Sequence, residues 1–126
     1  VELHLIQRVV EAARKDGAAI LGIPSVDTVK QVERQSILGT IPRERIVLAQ
    51  TPQAFRYPII KEAFDRAAAD GFNGTDESSL VERLGYNVTV LMGSDRNIKI
   101  TKPSDLPLAR LYIAQEKEQS KMKSEV

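Results

Sequence analysis

The stretch Ala18-Ala19-Ile20-Leu21-Gly22-Ile23-Pro24 decides the fold class of this chain. It is a short, nearly continuous apolar run, which is typical of a strand buried on both faces of a parallel sheet. Residues 2–15 precede it, and the apolar side chains there recur at three- and four-residue spacing, which predicts an amphipathic helix with Leu3, Ile6, Val9, Val10 and Ala13 on one face. A helix followed by a buried strand is one unit of an α/β fold.

The alternation of helices and strands resumes after residue 50. The predicted elements are a helix over 54–70, a short helix from an N-cap at Thr75 through Leu84, a strand over 87–92 and a helix from about 103 to 115. We therefore expect an α/β domain over residues 1–115 with a mostly parallel sheet. Residues 116–126 are charged and poor in apolar side chains, and we expect a disordered tail there.

Residues 26–50 have a different pattern. Their apolar side chains have no helical period, and Gly39 and the polar run 33–36 interrupt them. This predicts extended segments joined by a turn, forming a β arm that protrudes from the domain. An isolated hairpin is marginally stable in water, so we expect the arm to pair with the same arm of a second subunit in a homodimer.

Composition excludes several classes of function. Eighteen basic and seventeen acidic residues leave a net charge of +1, which gives no electrostatic footprint for nucleic acid. The absence of cysteine excludes disulfides and thiolate chemistry, and no apolar run is long enough to span a bilayer. His4 is the only histidine and lies on a predicted helix surface, which argues against a histidine triad or metal cluster.

Five residues in predicted loops and element ends suit the binding of a phosphate monoester: Thr28, Arg43, Thr51, Thr75 and Lys99. Thr51 and Thr75 are each predicted at a helix start, where a hydroxyl and unpaired backbone N–H groups bind anions. Arginine grips phosphate bidentately, and lysine acts as a point charge. Each residue alone has a simpler explanation, because threonine at a helix start is more often only a cap and a surface cation is usually solvated.

The order of five motifs resembles one enzyme family. The motifs are Ala18 to Pro24, Asp27-Thr28-Val29-Lys30, Gln50-Thr51-Pro52-Gln53-Ala54-Phe55-Arg56, Gly74-Thr75-Asp76-Glu77-Ser78-Ser79-Leu80-Val81, and Asn97-Ile98-Lys99-Ile100-Thr101 with Pro103 and Asp105. Over residues 1 to about 115 the chain resembles the C-terminal portion of the 2-C-methyl-D-erythritol 4-phosphate cytidylyltransferases. The sister family of ribitol 5-phosphate cytidylyltransferases shares most of these motifs.

The resemblance implies a Rossmann-like nucleotidyltransferase fold and an enzyme of non-mevalonate isoprenoid biosynthesis. Such an enzyme transfers CMP from CTP to methylerythritol 4-phosphate with Mg²⁺ and releases pyrophosphate. By the resemblance, Arg43 and Lys99 position the substrate phosphate, and Thr28, Thr51 and Thr75 line the same pocket. Because Thr28 and Arg43 lie on the arm, we expect them to serve the partner subunit's site.

The family's glycine-rich CTP loop and its metal-binding segment have no counterpart in these 126 residues. We therefore expect the chain to start inside a longer protein, with CTP and Mg²⁺ bound by an N-terminal half, and we expect no CTP turnover by this chain alone. The location would be the bacterial cytoplasm or the plastid stroma. The alternatives are a ribitol 5-phosphate cytidylyltransferase and a non-catalytic oligomerisation module.

Overall fold

The computed structural model describes the backbone of residues 1–125 and the side chains of residues 1–119. The first helix and strand match the predicted unit: α1 is Leu3–Asp16 and β1 is Ala18–Pro24, joined by Gly17 at a φ of 97°. The face that α1 buries is set by Leu5, Val9 and Ala13, which pack with Ala19 and Leu21 of β1. The predicted face was therefore wrong for Leu3, which is 68% exposed, and for Val10, which is 40% exposed.

The central sheet is mixed, which corrects the expectation of a mostly parallel one. Its strand order is β4-β1-β5, where β4 is Val47–Phe55 and β5 is Thr89–Met92. β5 pairs parallel to β1, but β4 pairs antiparallel to it. The chain reaches β4 through extended segments rather than a crossover helix, so it returns along β1 in the opposite direction.

One end of the second face of the sheet packs against α2, Tyr57–Asp70, and α3, Glu77–Arg83. Ala63 and Ala67 of α2 and Leu80 and Val81 of α3 form one buried cluster with Ala18. The predicted start of α2 at residue 54 was wrong, because Ala54 and Phe55 complete β4. The helical spacing of Phe55, Tyr57 and Phe64 predicts that all three are core residues, but Tyr57 and Phe64 are 71% and 50% exposed.

A separate two-stranded sheet follows β1. Its antiparallel strands are β2, Val29–Glu33, and β3, Ser36–Ile41, and Arg34 in the connecting turn has a φ of 56°. The two extended segments and the turn agree with the prediction for residues 26–50, but residues 47–50 belong to β4 in the central sheet. A short 3₁₀ turn, Arg43–Arg45, separates the hairpin from β4.

The last helix is longer than the sequence pattern indicates. α4 is Asp105–Glu125, whereas the predicted end was near residue 115. Residues 116–125 contain good helix formers and neither glycine nor proline, so nothing in them ends the helix. Disorder of the 116–126 tail stays a prediction, and Val126 lies outside the described residues. None of the helices that the structure describes has the length and apolar composition needed to cross a membrane.

We predict that Gly22→Ala destabilises the central sheet. A Cβ at Gly22 would overlap Val47 Cγ1 and lie 3.1 Å from Val90 Cγ1, so the side chains of both valines would have to shift. Overpacking of this kind costs about 1–3 kcal/mol. Urea unfolding of the protein measures the loss.

Gly39→Ala is the matched control for this change. Gly39 lies in β3, and a Cβ there has no neighbouring atom within 4 Å. We expect its free energy of unfolding to change by less than about 0.5 kcal/mol. Equal stability of the two variants would contradict the close packing of β4, β1 and β5.

Candidate functional site

A cleft of about 310 Å³ lies along the middle of β4, beside the loop before α3 and the segment after β5. It brings together three of the five predicted site residues, Thr51, Thr75 and Lys99. Its other lining residues are Ala49, Gln50, Gln53, Asp76 and Asn97. The cleft therefore combines one cation with hydroxyl and amide groups from three separate parts of the chain.

Thr51 reaches the cleft through a bulge in β4. Gln53 pairs with Ile20 and Gln50 pairs with the next residue of β1, Leu21, so Thr51 and Pro52 are extra residues in the ladder. Bulges of this kind redirect side chains and are frequent beside active sites. The predicted helix start at Thr51 was wrong, because Thr51 lies in a strand and α2 begins at Tyr57. Helix N–H groups therefore do not accompany its hydroxyl.

Thr75 lies in the loop before α3. The N-cap of α3 is Asp76 rather than Thr75, since the Asp76 carboxylate accepts the backbone N–H of Ser79 at 2.8 Å. The backbone N–H of Asp76 completes a capping box by donating to Ser79 Oγ at 3.4 Å. The Thr75 hydroxyl is consequently not consumed as the cap and lines the cleft.

Gln53 fastens this loop to β4. Its Nε2 donates to Asp76 Oδ2 at 2.9 Å, and its Oε1 accepts the backbone N–H of Ser78 at 3.1 Å. Both carboxylate oxygens of Asp76 therefore have partners, one on Ser79 and one on Gln53. Asp76 is nevertheless one of the lining residues, so its carboxylate and the Lys99 cation lie in the same cleft.

Lys99 lies in residues 93–104, which form neither helix nor strand. The alternation of apolar and polar residues in Ile98-Lys99-Ile100 is strand-like, but no strand forms there. Asp105, the first residue of α4, holds the far end of this segment: its carboxylate accepts the backbone N–H groups of Thr101 at 3.1 Å and Lys102 at 3.2 Å. These two bonds lower the pKa of Asp105 below its usual value, so its carboxylate remains ionised at neutral pH.

The cleft has the chemistry of an oxyanion site. Lys99 is the cation among its lining residues, and Thr51 and Thr75 add hydroxyl donors. A phosphate group offers acceptor oxygens and negative charge, which match both kinds of donor. Within residues 1–119, no group of three histidine, cysteine, aspartate or glutamate side chains is placed to hold a metal ion.

Arg43 and Thr28 do not line this cleft. Arg43 lies in the 3₁₀ turn and borders a separate, mostly apolar cavity of about 390 Å³ with Gly22, Pro24 and Val90. Its Nη1 donates to the carbonyl oxygen of Val26 at 3.2 Å. Thr28 is exposed at the base of the β2–β3 hairpin. The five predicted residues are thus divided between the cleft and the hairpin region.

Gln50, Gln53 and Asn97 occur in the motifs quoted above but were not among the predicted site residues. Gln50 and Asn97 bond across the gap between β4 and the Lys99 segment. The bulge that Gln50 and Gln53 flank could have been predicted from Pro52, because a proline inside a strand marks an edge strand or a bulge.

Comparisons with known proteins agree on one family. The family model for 2-C-methyl-D-erythritol 4-phosphate cytidylyltransferase matches residues 1–115. The enzyme of that name from Acidobacterium capsulatum is 57% identical over 119 residues, covering 91% of this chain and 50% of the relative. The one from Solibacter usitatus is 52% identical over 120 residues, covering 92% of this chain and 49% of the relative. The chain thus spans about half the length of the curated relatives it matches.

Solved structures give the same result. The crystal structure of 2-C-methyl-D-erythritol 4-phosphate cytidylyltransferase from Thermus thermophilus matches with a TM-score of 0.78 and 38% identity, covering 90% of this chain and 56% of that one. The 4-diphosphocytidyl-2C-methyl-D-erythritol synthase from Anaerococcus prevotii has a TM-score of 0.81 and 33% identity, with 88% and 52% covered. The α/β fold and the length of the family match together show that this chain belongs to the 2-C-methyl-D-erythritol 4-phosphate cytidylyltransferase family.

Proposed function

We propose that this chain forms the substrate-phosphate side of an enzyme that transfers CMP from CTP to 2-C-methyl-D-erythritol 4-phosphate. The products would be 4-diphosphocytidyl-2-C-methyl-D-erythritol and pyrophosphate. The observation that supports this most directly is the meeting of Thr51, Thr75 and Lys99 in one cleft, in a chain of this family. The step belongs to non-mevalonate isoprenoid biosynthesis.

The role proposed for the cleft is to hold the 4-phosphate of the sugar alcohol. Lys99 would neutralise part of its charge, and the hydroxyls of Thr51 and Thr75 would donate to its oxygens. An oxygen of the substrate phosphate is the nucleophile that attacks the α-phosphorus of CTP, and pyrophosphate leaves. Such a transfer depends on holding nucleophile and phosphorus in line, so binding the phosphate in a fixed place is itself a catalytic contribution.

CTP and Mg²⁺ are proposed to bind residues that are not among these 126. The only carboxylate that lines the cleft is Asp76, and both its oxygens already accept hydrogen bonds. This donor set does not fit Mg²⁺, which prefers several free oxygen ligands in octahedral geometry. The N-terminal half expected from the resemblance would supply the metal ligands and the nucleotide loop, so no step proposed for this chain passes through the metal.

A homodimer formed through the β2–β3 hairpin is part of the proposal. Val32, Ile37 and Leu38 on the hairpin are each more than half exposed, and side chains of this kind grouped on one element favour a protein contact. Arg43 and Thr28 lie beside the hairpin and away from the cleft of their own chain. We propose that both residues reach the cleft of the partner subunit.

The named relatives are bacterial and carry the methylerythritol name, so we propose a bacterial cytoplasmic enzyme. The comparisons do not favour ribitol 5-phosphate as the substrate. Ribitol 5-phosphate remains a useful reference compound, because it offers the same phosphate on a different polyol.

We predict that Lys99→Gln, made in the intact protein that contains this chain, lowers kcat/KM for methylerythritol 4-phosphate about 100-fold. The change removes the cation of the cleft and keeps a side chain of similar length. The KM for CTP should stay within about twofold, because CTP is held by other residues. Pyrophosphate release with CTP and each sugar phosphate measures these values.

Lys102→Gln is the matched control. Lys102 is exposed three residues further along the same segment and does not line the cleft. We expect its activity to stay within about twofold of the unmodified enzyme. Equal losses in the two variants, or full activity of Lys99→Gln, would refute the assignment of Lys99. Faster turnover of ribitol 5-phosphate by the unmodified enzyme would refute the proposed substrate.

A second prediction concerns Arg43. Arg43→Ala and Lys99→Gln should each lower the turnover of the homodimer when expressed alone. Co-expression of the two variants should restore part of the turnover. If Arg43 serves the partner's cleft, each mixed dimer contains one site with both residues intact, which gives about one quarter of all sites at random pairing. Restored turnover near that fraction is expected. Activity of the mixture no higher than that of the separate variants would place Arg43 in its own subunit's site.

A further inference from the structure

The Lys99 segment lacks regular structure, yet it has to present a cation at a defined place. Residues 93–104 are held by neither a helix nor a strand, and the Lys99 side chain is long and exposed. Such a side chain loses about 2 kcal/mol of rotamer freedom when it is fixed. The segment that carries it can therefore contribute to binding only if its backbone is already in place.

Gln50 of β4 binds the turn that precedes Lys99. Its Nε2 donates to the carbonyl oxygen of Ser94 at 2.8 Å and to that of Asn97 at 3.2 Å. Its Oε1 accepts the backbone N–H of Ser94 at 3.3 Å. One amide group thus bonds both ends of the turn 94–97, and Lys99 follows two residues later.

Asn97 makes the return contact. Its Nδ2 donates to the backbone carbonyl of Thr51 at 2.6 Å, in the bulge next to Gln50. The two side chains therefore cross-link the bulge and the turn in both directions. Thr51 and Lys99 are the groups that these two backbones present to the cleft, so the cross-link sets their separation.

Gly93 leaves the space that the Gln50 amide occupies. A Cβ at this position would overlap Gln50 Oε1 and lie 3.3 Å from its Cδ. The backbone N–H of Gly93 also donates to the carbonyl of Gly22 at 2.9 Å, so the residue extends the contact of β5 with β1. A larger residue at position 93 would therefore have to displace the Gln50 amide from the turn.

We propose that Gln50 and Asn97 are positioning residues that hold Lys99 and Thr51 at the separation required by the substrate phosphate. The inference rests on the proposed function for its substrate. A displacement of about 1 Å in such a site can lower the rate about 100-fold, although neither residue contacts the reacting atoms.

The first test is Gln50→Met in the intact protein. Methionine keeps the length of the side chain and removes all three hydrogen bonds to the turn. We expect kcat/KM for methylerythritol 4-phosphate to fall about tenfold to 100-fold, with the KM for CTP within about twofold. Gln7→Met, an exposed position of α1, is the matched control and should keep full activity.

A double variant separates positioning from general weakening of the fold. If Gln50 acts through Lys99, then Gln50→Met should cost little in a Lys99→Gln background, so the losses would not multiply. Losses that multiply would overturn the proposal, because a purely structural role affects the enzyme whether or not Lys99 is present.

Hydrogen exchange gives a measurement that does not depend on activity. The backbone N–H of Ser94 bonds Gln50 Oε1, so its exchange should accelerate in Gln50→Met and stay unchanged in Gln7→Met. Unchanged exchange in Gln50→Met would overturn the proposal. Should Gln50→Met fail to fold, Asn97→Ala removes one contact at the surface of the segment and must reproduce the kinetic loss; full activity of that variant would overturn the proposal.

These outcomes are distinct from failure of the proposed function. If the unmodified enzyme forms no product from methylerythritol 4-phosphate, the function is wrong, and the exchange of Ser94 still tests the contact. If Lys99→Gln is impaired while Gln50→Met and Asn97→Ala are fully active, the function stands and the positioning role is wrong.

Discussion

The antiparallel pairing of β4 with β1 is the constraint on which the rest of the site depends. β1 is buried from Ala18 through Gly22, so it is fixed by the core on both of its faces. β4 takes its register from β1, and the two extra residues in that register are Thr51 and Pro52. Because of this bulge, the middle of β4 forms one wall of the cleft. Gln50 and Gln53 on either side of the bulge then fasten the two neighbouring loops to it.

The elements that contact the core could be predicted from the sequence, but the faces and ends that depend on tertiary pairing could not. The run Ala18 to Pro24 predicts a buried strand because its apolar content is continuous. Thr51-Pro52 is compatible both with a helix start and with a strand bulge, and only the pairing of Gln50 and Gln53 with β1 decides between them. For the same reason the sequence indicated neither the antiparallel direction of β4 nor the exposure of Phe64.

The N-cap of α3 could not be decided from the sequence. Thr75 and Asp76 are both good caps, and each has a serine three residues later, Ser78 and Ser79, so the spacing of a capping box does not distinguish them. The distinction matters for the site because a cap hydroxyl is already bonded to the helix. With Asp76 as the cap, the neighbouring threonine is left to line the cleft. The predicted end of α4 near residue 115 was too early, because residues 116–125 are charged but have high helix propensity.

The role proposed for the cleft and the role proposed for the hairpin are related through the charge of the substrate phosphate. A phosphate monoester carries about 1.5 to 2 negative charges at neutral pH, and Lys99 supplies a single positive charge among the lining residues. The Asp76 carboxylate also lines the cleft, so the lining residues carry no net formal charge, and the ligand proposed for the cleft needs a further cation. Arg43 stands beside a hairpin whose exposed apolar side chains favour a partner chain, and its own cleft is lined without it. A subunit that receives this arginine from its partner would bind the phosphate only as a dimer, which makes assembly itself a condition of substrate binding.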